Sequence, residues 1–192
     1  MLDKLKSYQI ILASKSPRRK QLLAELGIQF TVESIDTEED FPIDIPVEQV
    51  AEYLAVKKAK PFENRLNDIS LIITADTIVV LGNEIMGKPD NYNEAYTMIE
   101  KLSGKAHRVL TGVCVMHKSK QECFTSSTTV YFKKLSHNEI DYYISHYRPY
   151  DKAGAYGIQE WIGYIAVERI EGSYFNVMGL PVQHLYEVLR QF

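Results

Sequence analysis

The sequence predicts a mixed α/β fold, and three observations carry that prediction. Strand-like and helix-like patterns alternate along the chain. One segment, Leu71-Ile72-Ile73-Thr74-Ala75, is a continuous apolar run of the kind that forms a central strand buried on both faces. Near the N-terminus the buried-looking strand Tyr8-Gln9-Ile10-Ile11-Leu12-Ala13 runs directly into a helix start at Ser14-Lys15-Ser16-Pro17-Arg18-Arg19. The 192 residues suffice for one domain, or one domain with a small lobe, and a hydrophobic content of 45% is ordinary for a globular chain.

The first helix runs through Gln21-Leu22-Leu23 to Leu26, with Gly27 as its C-cap. Pro17 suits the first helical position, where its missing N–H costs nothing. Phe30-Thr31-Val32-Glu33-Ser34 reads as a second strand. From Glu33 to Glu52 the chain carries eight acids and no Lys or Arg, with Pro42 and Pro46 breaking regular structure. Most of these acids fit a solvated loop, and one is a candidate metal ligand. Residues 47–62 have helical periodicity, with Val50, Tyr53, Leu54 and Val56 apolar; Lys57, Lys58 and Lys60 suit the C-terminal end of such a helix. The apolar run at 71–75 is interrupted by Asp76-Thr77 and resumes as Ile78-Val79-Val80-Leu81, and Gly82-Asn83 reads as a hairpin turn. A helix opens near Asn91, with Glu94 placed as in a capping box, and ends at Ser103-Gly104. Two long strands follow at 107–117 and 122–132, around a turn containing Lys118-Ser119-Lys120. Ser136-His137-Asn138-Glu139 is a second capping box, opening a helix to about His146. Residues 151–159 form a glycine-punctuated loop. A strand at 165–170 and a C-terminal helix at 180–191 close the fold.

Charge and composition exclude several function classes. The net charge of −3 argues against coating nucleic acid. No apolar run approaches the roughly 20 residues that a membrane-spanning helix needs, and the first six residues lack the apolar core of a signal peptide. Cys114 and Cys123 fall on the two strands of the expected hairpin and read as free thiols. The expectation is a cytoplasmic protein without disulfides, with neither nucleic acid nor membrane as partner. The five histidines show no zinc-ligand spacing, and neither a Walker-type phosphate loop nor a serine-hydrolase elbow is present.

The strand-to-helix turn describes an anion site. Backbone N–H groups at a helix start lack intrahelical partners, and the helix dipole places positive charge there. Ser14 and Ser16 add hydroxyls, and Arg18 and Arg19 add forked cationic donors, a set suited to phosphate. An ordinary Ser-capped helix with two solvated arginines fits the same residues. Asp76 interrupts a buried apolar run, where a carboxylate is costly to desolvate unless paired, hydrogen-bonded or metal-bound. It is the candidate acid/base or metal ligand; a turn aspartate accepting backbone N–H bonds is the competing reading. Lys88, stiffened between Gly87 and Pro89, could present a point charge to a phosphate. Lys152 could do so from the glycine loop, where Gly154 and Gly157 permit close approach of a ligand. Gln159 could read a base edge through its paired donor and acceptor.

In order and spacing these pieces resemble one family, the Maf-like nucleoside triphosphate pyrophosphatases. The resemblance runs nearly end to end. It rests on Leu12-Ala13-Ser14-Lys15-Ser16-Pro17-Arg18-Arg19, Ala75-Asp76-Thr77, Gly87-Lys88-Pro89, Leu102-Ser103-Gly104 and Val109-Leu110-Thr111-Gly112-Val113. It continues in Asp151-Lys152-Ala153-Gly154-Ala155-Tyr156-Gly157-Ile158-Gln159, Gly172-Ser173-Tyr174 and Val177-Met178-Gly179-Leu180-Pro181. The resemblance implies an elongated mixed sheet with flanking helices and a central cleft, similar to the inosine triphosphate pyrophosphatases. It implies a single domain over 1–192 with two lobes around that cleft, often as a homodimer. The implied reaction is hydrolysis of a nucleoside triphosphate to the monophosphate and pyrophosphate, with a divalent cation, Mg²⁺ or Mn²⁺, as cofactor. Asp76 matches the family's proton acceptor, and Ser14, Arg18, Arg19, Glu38, Lys58 and Lys88 match its cleft residues. Ser16 and Lys152 join them as substrate-binding candidates. Arg18, Thr77 and Gln159 match positions linked to base choice. The run ending in Gly157-Ile158-Gln159 looks like the subgroup acting on dTTP and UTP, with CTP or modified pyrimidine nucleotides as further candidates. Glu38 and Asp76 are the implied metal ligands, although Glu39 and Asp40 also fit the acidic position.

On this reading the anionic tail lies toward the serine-arginine turn and Asp76 activates a water for in-line attack at the α-phosphorus. Two other readings compete. A non-catalytic nucleotide-binding regulator of cell division would use the same anion site without water activation. A phosphomonoester hydrolase of the dehalogenase type is suggested by Asp76-Thr77 after a strand, but the second Asp of that signature is missing.

Overall fold

The computed structural model describes residues 3–192; Met1 and Leu2, part of the N-terminal stretch weighed above as a leader, lie outside them. The strands are β1 (Gln9–Leu12), β2 (Thr31–Val32), β3 (Ser70–Leu81), β4 (Glu84–Met86), β5 (Ala106–His117), β6 (Lys120–Phe132) and β7 (Val167–Glu171). They form one seven-stranded sheet in the order β2-β1-β3-β5-β6-β7, with β4 paired to β3 off that path. β1 runs parallel to β2 and β3, whereas β4 is antiparallel to β3 and β7 to β6. The helices are α1 (Pro17–Glu25), α2 (Val47–Ala59), α3 (Tyr92–Leu102), α4 (His137–Tyr147), α5 (Trp161–Ala166), α6 (Tyr174–Met178) and α7 (Val182–Leu189). This is the mixed α/β class that the sequence predicts. No helix among the described residues is long and apolar enough to cross a membrane, and Cys114 and Cys123 are free thiols.

The helix starts follow local chemistry. Ser16 caps α1 with Pro17 at its first position, Asn91 caps α3, and Ser136 and Glu139 close a full capping box on α4. The turn before β4 needs Gly82, whose φ is 62°.

Three expectations need correction. The run at 71–81 is not interrupted: β3 is continuous through Asp76 and Thr77, so Asp76 is a strand residue and not a turn aspartate. The helix expected over 47–62 ends at Ala59, and a 3-10 turn, Lys60–Arg65, follows it. Pro61 explains this, because its ring and missing N–H oppose continuation of an α-helix. The strand expected at 165–170 begins at Val167, because the residues before it form α5. There the chain is tight: a Cβ added at Gly163 would lie 1.7 Å from the carbonyl oxygen of Ile158.

The chain divides into two compact units. The first comprises Met1–Asp76, Thr111–Ser126 and Gly179–Phe192; the second comprises Thr77–Leu110 and Ser127–Met178. In the first unit Val50, Ala51, Leu54, Ala55 and Ala59 make the buried stripe of α2. Ala55 and Ala59 join Ala13, Phe62, Ile72, Cys114 and Met116 in one apolar cluster. A Cβ at Gly112 of β5 would sit 2.2 Å from backbone atoms of Ala51 and Glu52, so only glycine admits α2 at this closeness. In the second unit Ile99 and Leu102 of α3 and Ile140, Tyr143 and Ile144 of α4 pack with Val109, Val130 and Phe132. His107 is buried there, its Nε2 2.8 Å from the Tyr156 hydroxyl and its ring edge-on to Phe132.

Candidate active site

In the first unit the site is built from the geometry of α2 against β3. Thr74 and Asp76 lie two apart on β3 and so share a face. The buried Thr74 hydroxyl donates to the Ala55 carbonyl oxygen at 2.7 Å. Ala55 lies one helical turn before Lys58. That bond, and the close approach at Gly112, fix where Lys58 emerges. Its ammonium donates to Asp76 Oδ1 and, at 2.9 Å, to Glu39 Oε1. The Lys58 side chain is 18% exposed and that of Asp76 only 9%, whereas Glu39 is 44% exposed. Two carboxylates therefore converge on one largely buried cation.

Of the three acids the sequence left open, Glu39 is the one that shares Lys58 with Asp76. Asp40 bonds Lys57, and this bond is the main reason the Lys57 ammonium is pushed above its ordinary range. Glu38 is exposed and adds a smaller push to Lys57.

The serine-arginine turn is in the same unit. Ser14 Oγ accepts from the Ser16 N–H at 3.2 Å, and Ser16 Oγ accepts from the Arg19 N–H at 3.4 Å. Two backbone donors that the sequence offered to an anion are thus bonded inside the turn. Arg19 Nε donates to the Gly179 carbonyl oxygen at 2.8 Å. Burial pulls the Arg19 guanidinium below its ordinary range; the Asp76 charge opposes that shift, and neighbouring Arg18 adds to it. Arg18, Arg19, Lys58 and Asp76 form one electrostatic cluster.

The remaining candidates, Thr77, Lys88, Lys152 and Gln159, fall in the second unit. Thr77 is half-buried on β3, and Lys88 is exposed. The carbonyl oxygen of Gly87 accepts from the Gly154 N–H at 3.0 Å, which ties the segment before Lys88 to the glycine loop. Lys152 is 7% exposed. Its ammonium is already held by two carboxylates, Asp151 at 2.6 Å and Glu160 at 3.1 Å. Glu160 Oε2 also accepts from the Tyr143 hydroxyl, which in turn accepts from the Gly157 N–H at 3.0 Å. Gln159 Oε1 is buried with no hydrogen-bond partner among the described residues. An orphaned buried acceptor costs about 1–3 kcal/mol, which a ligand donor would recover. Neither Glu160 nor Tyr143 is among the site candidates that the sequence offers; Tyr143 is expected only as a helix residue. A carboxylate directly after Gln159 in a loop that buries a lysine is a signal for the first; a helical tyrosine gives none for the second.

Among the described residues no three His, Cys, Asp or Glu side chains cluster as a ready-made metal site. The donor chemistry still fits a hard divalent cation, because Mg²⁺ commonly uses one or two carboxylates together with substrate phosphates and water. Asp76 and Glu39, which meet on one ammonium, supply such a pair.

Within the first unit of this mixed α/β fold, a lysine-held carboxylate acts electrostatically on the arginine-bearing start of α1. The chain belongs to the Maf-like protein family, whose sequence model matches residues 9–192. It is 53% identical over 192 residues to the dTTP/UTP pyrophosphatase of Phocaeicola vulgatus, covering 100% of both chains. It is 51% identical over 195 residues to the dTTP/UTP pyrophosphatase of Porphyromonas gingivalis, covering 100% of this chain and 98% of that one. Among solved structures it is similar to a nucleoside-triphosphatase / dITP/XTP pyrophosphatase from Mycobacterium abscessus, over 95% of this chain and 93% of that one. The TM-score is 0.44 and the identity 13%.

Proposed function

We propose that this chain hydrolyses dTTP and UTP to the nucleoside monophosphates and pyrophosphate. The observation that carries the reading is the buried Asp76 carboxylate held by Lys58 beside Arg19. The names of relatives about half identical over the whole chain supply the substrate class. A sensor of nucleotides would gain little from a carboxylate aimed at phosphates.

In this mechanism Asp76 orients a water and takes its proton as the oxygen attacks the α-phosphorus in line. The bond from that phosphorus to the bridging oxygen breaks, and pyrophosphate leaves with the electron pair. Lys58 fixes the Asp76 carboxylate and adds positive charge. Arg18 and Arg19 bind phosphate oxygens, with the Ser14 and Ser16 hydroxyls as further donors. Asp76 and Glu39 would hold Mg²⁺ or Mn²⁺, whose contribution is to neutralise charge on the phosphate oxygens. Positioning and electrostatics supply most of the acceleration in such chemistry.

Gln159 reads the base in this scheme. Its orphaned Oε1 accepts from the N3–H of uracil or thymine; cytosine has no proton at that nitrogen. Thr77, in the same unit, shares in base choice. The reading extends to a cytoplasmic homodimer, as the family resemblance implies.

The test is to incubate the purified protein with dTTP, UTP, CTP, GTP, ATP and 7-methyl-GTP, with Mg²⁺ or Mn²⁺, and separate the products. Monophosphate and pyrophosphate from dTTP and UTP are expected. Turnover of 7-methyl-GTP instead keeps the mechanism and overturns the base assignment. Tight binding without any turnover makes the regulator reading the better one.

A further inference from the structure

The glycine loop of the second unit is tied to α4 by a run of buried polar contacts. Four groups make a single chain of contacts: the Lys152 ammonium, the Glu160 carboxylate, the Tyr143 hydroxyl and the Gly157 N–H. Lys152 and Glu160 stand at the two ends of the loop, and Tyr143 comes from α4. The chain therefore clips both ends of the loop to one helix.

Each link is constrained by burial. Lys152 is 7% exposed, so its charge must be matched, and Glu160 at 20% side-chain exposure is the less solvated of its two partners. Tyr143 is fully buried and its ring stacks on Tyr147 at 5.2 Å. Its hydroxyl is pushed to a higher pKa, first by burial and then by its bond to Glu160. It stays a proton donor to Glu160 while its oxygen accepts from Gly157. The loop then folds back on itself. A Cβ at Gly157 would lie 2.9 Å from Gln159 Nε2 and 2.9 Å from Glu160 Cδ. The Gln159 amide thus lies over the α-carbon of the residue whose N–H Tyr143 holds.

We infer that Tyr143 and Glu160 are positioning residues for Gln159, fixing the amide that selects the base. This rests on the reading of Gln159 given above. A glutamine amide free to turn presents its donor and acceptor alike, and accepts uracil and cytosine alike. A glutamine held in one orientation discriminates between them, because the wrong base leaves buried polar groups unpaired.

The closing experiment compares Tyr143→Phe with the wild type, with Tyr147→Phe as a control that alters the same aromatic stack outside the contact chain. Two readouts are taken. In the ligand-free protein, NMR measures hydrogen exchange at the Gly157 N–H and the line widths of the Gln159 side-chain amide. In steady state, kcat/KM is measured for UTP and for CTP.

For Tyr143→Phe, Gly157 exchange is expected to rise by roughly 10-fold, and the UTP-to-CTP ratio to fall roughly 3- to 10-fold, the worth of one hydrogen bond. Tyr147→Phe should leave both unchanged. Glu160→Gln, which keeps the shape but weakens both of its contacts, should move the ratio in the same direction. A merely structural role would lower both kcat/KM values in parallel, and an unchanged ratio in Tyr143→Phe overturns the inference. Should the wild type turn over neither nucleotide, the functional reading falls on its own. The NMR readout then decides the positioning: unchanged Gly157 exchange and Gln159 line widths refute it.

Discussion

A carboxylate buried in a β-strand persists only where something offsets its desolvation, and at Asp76 the Lys58 ammonium does so. Asp76→Asn keeps the shape and removes both the base and the charge. Turnover of UTP should fall roughly 10²-fold or more, the scale of a general base. Pyrophosphate release measured at saturating UTP checks this, and near-normal turnover removes Asp76 from the chemistry. His107 is a residue of another kind, buried in the second unit's core and, among the described residues, paired through Nε2 alone. Burial pushes its pKa down to about 4 from an ordinary 6.5. Between those values the unfolded chain binds a proton that the folded one refuses, so stability falls as pH drops from 6.5 towards 4, and the loss stops below the folded value. The effect is roughly 3 kcal/mol across that window. Urea unfolding between pH 7 and pH 4 should show it in the wild type, and a curve flatter by that amount in His107→Gln. Identical curves refute the assignment.

The placement of Lys58 is a property of α2 as an element. The helix rests on β5 where Gly112 leaves no side chain, and it is pinned to β3 by the Thr74 hydroxyl. Gly112→Ala would put a methyl 2.2 Å from helix backbone, and no side chain can turn aside to make room. The helix must lift, costing roughly 1–3 kcal/mol or more, and Lys58 moves with it. A lowered urea midpoint together with a loss of turnover is expected; an unchanged midpoint means that the contact is looser than described. This element shows what a sequence can and cannot reveal. The caps at Ser16, Asn91 and Ser136 were legible because a cap is a local pattern within four residues. Gly112 was visible inside a family motif, but its reason, the approach of a helix from sixty residues earlier in the chain, is tertiary. α5 and α6 were missed because helices of six and five residues do not complete enough turns to show a period.

Across the whole molecule the sequence named candidate residues more readily than their partners. Asp76 stood out from the cost of burying it, and Gln159 from its paired donor and acceptor together with the family resemblance. That Glu39 meets Asp76 on Lys58, and that Glu160 meets Tyr143 beside Gln159, depends on which elements fold together, and spacing along the chain does not encode that. The two groups of contacts also belong to different units: Asp76 is held by Lys58 within the first, and Gln159 lies over Gly157 within the second. Each residue is therefore positioned by contacts of its own unit, and the proposed mechanism gives each a different step, water activation or base choice. Asp76→Asn should lower turnover of UTP and CTP by one common factor and leave their ranking intact. Gln159→Ala should compress the ranking and leave the water-activating machinery in place. In the double variant the two effects on kcat/KM should add as free energies to within about 0.5 kcal/mol, as for residues without shared partners. Steady-state kinetics of the four proteins on both nucleotides close this cycle. A coupling well above that value would mean that the two residues act on the same step, and that base recognition helps to assemble the hydrolytic site.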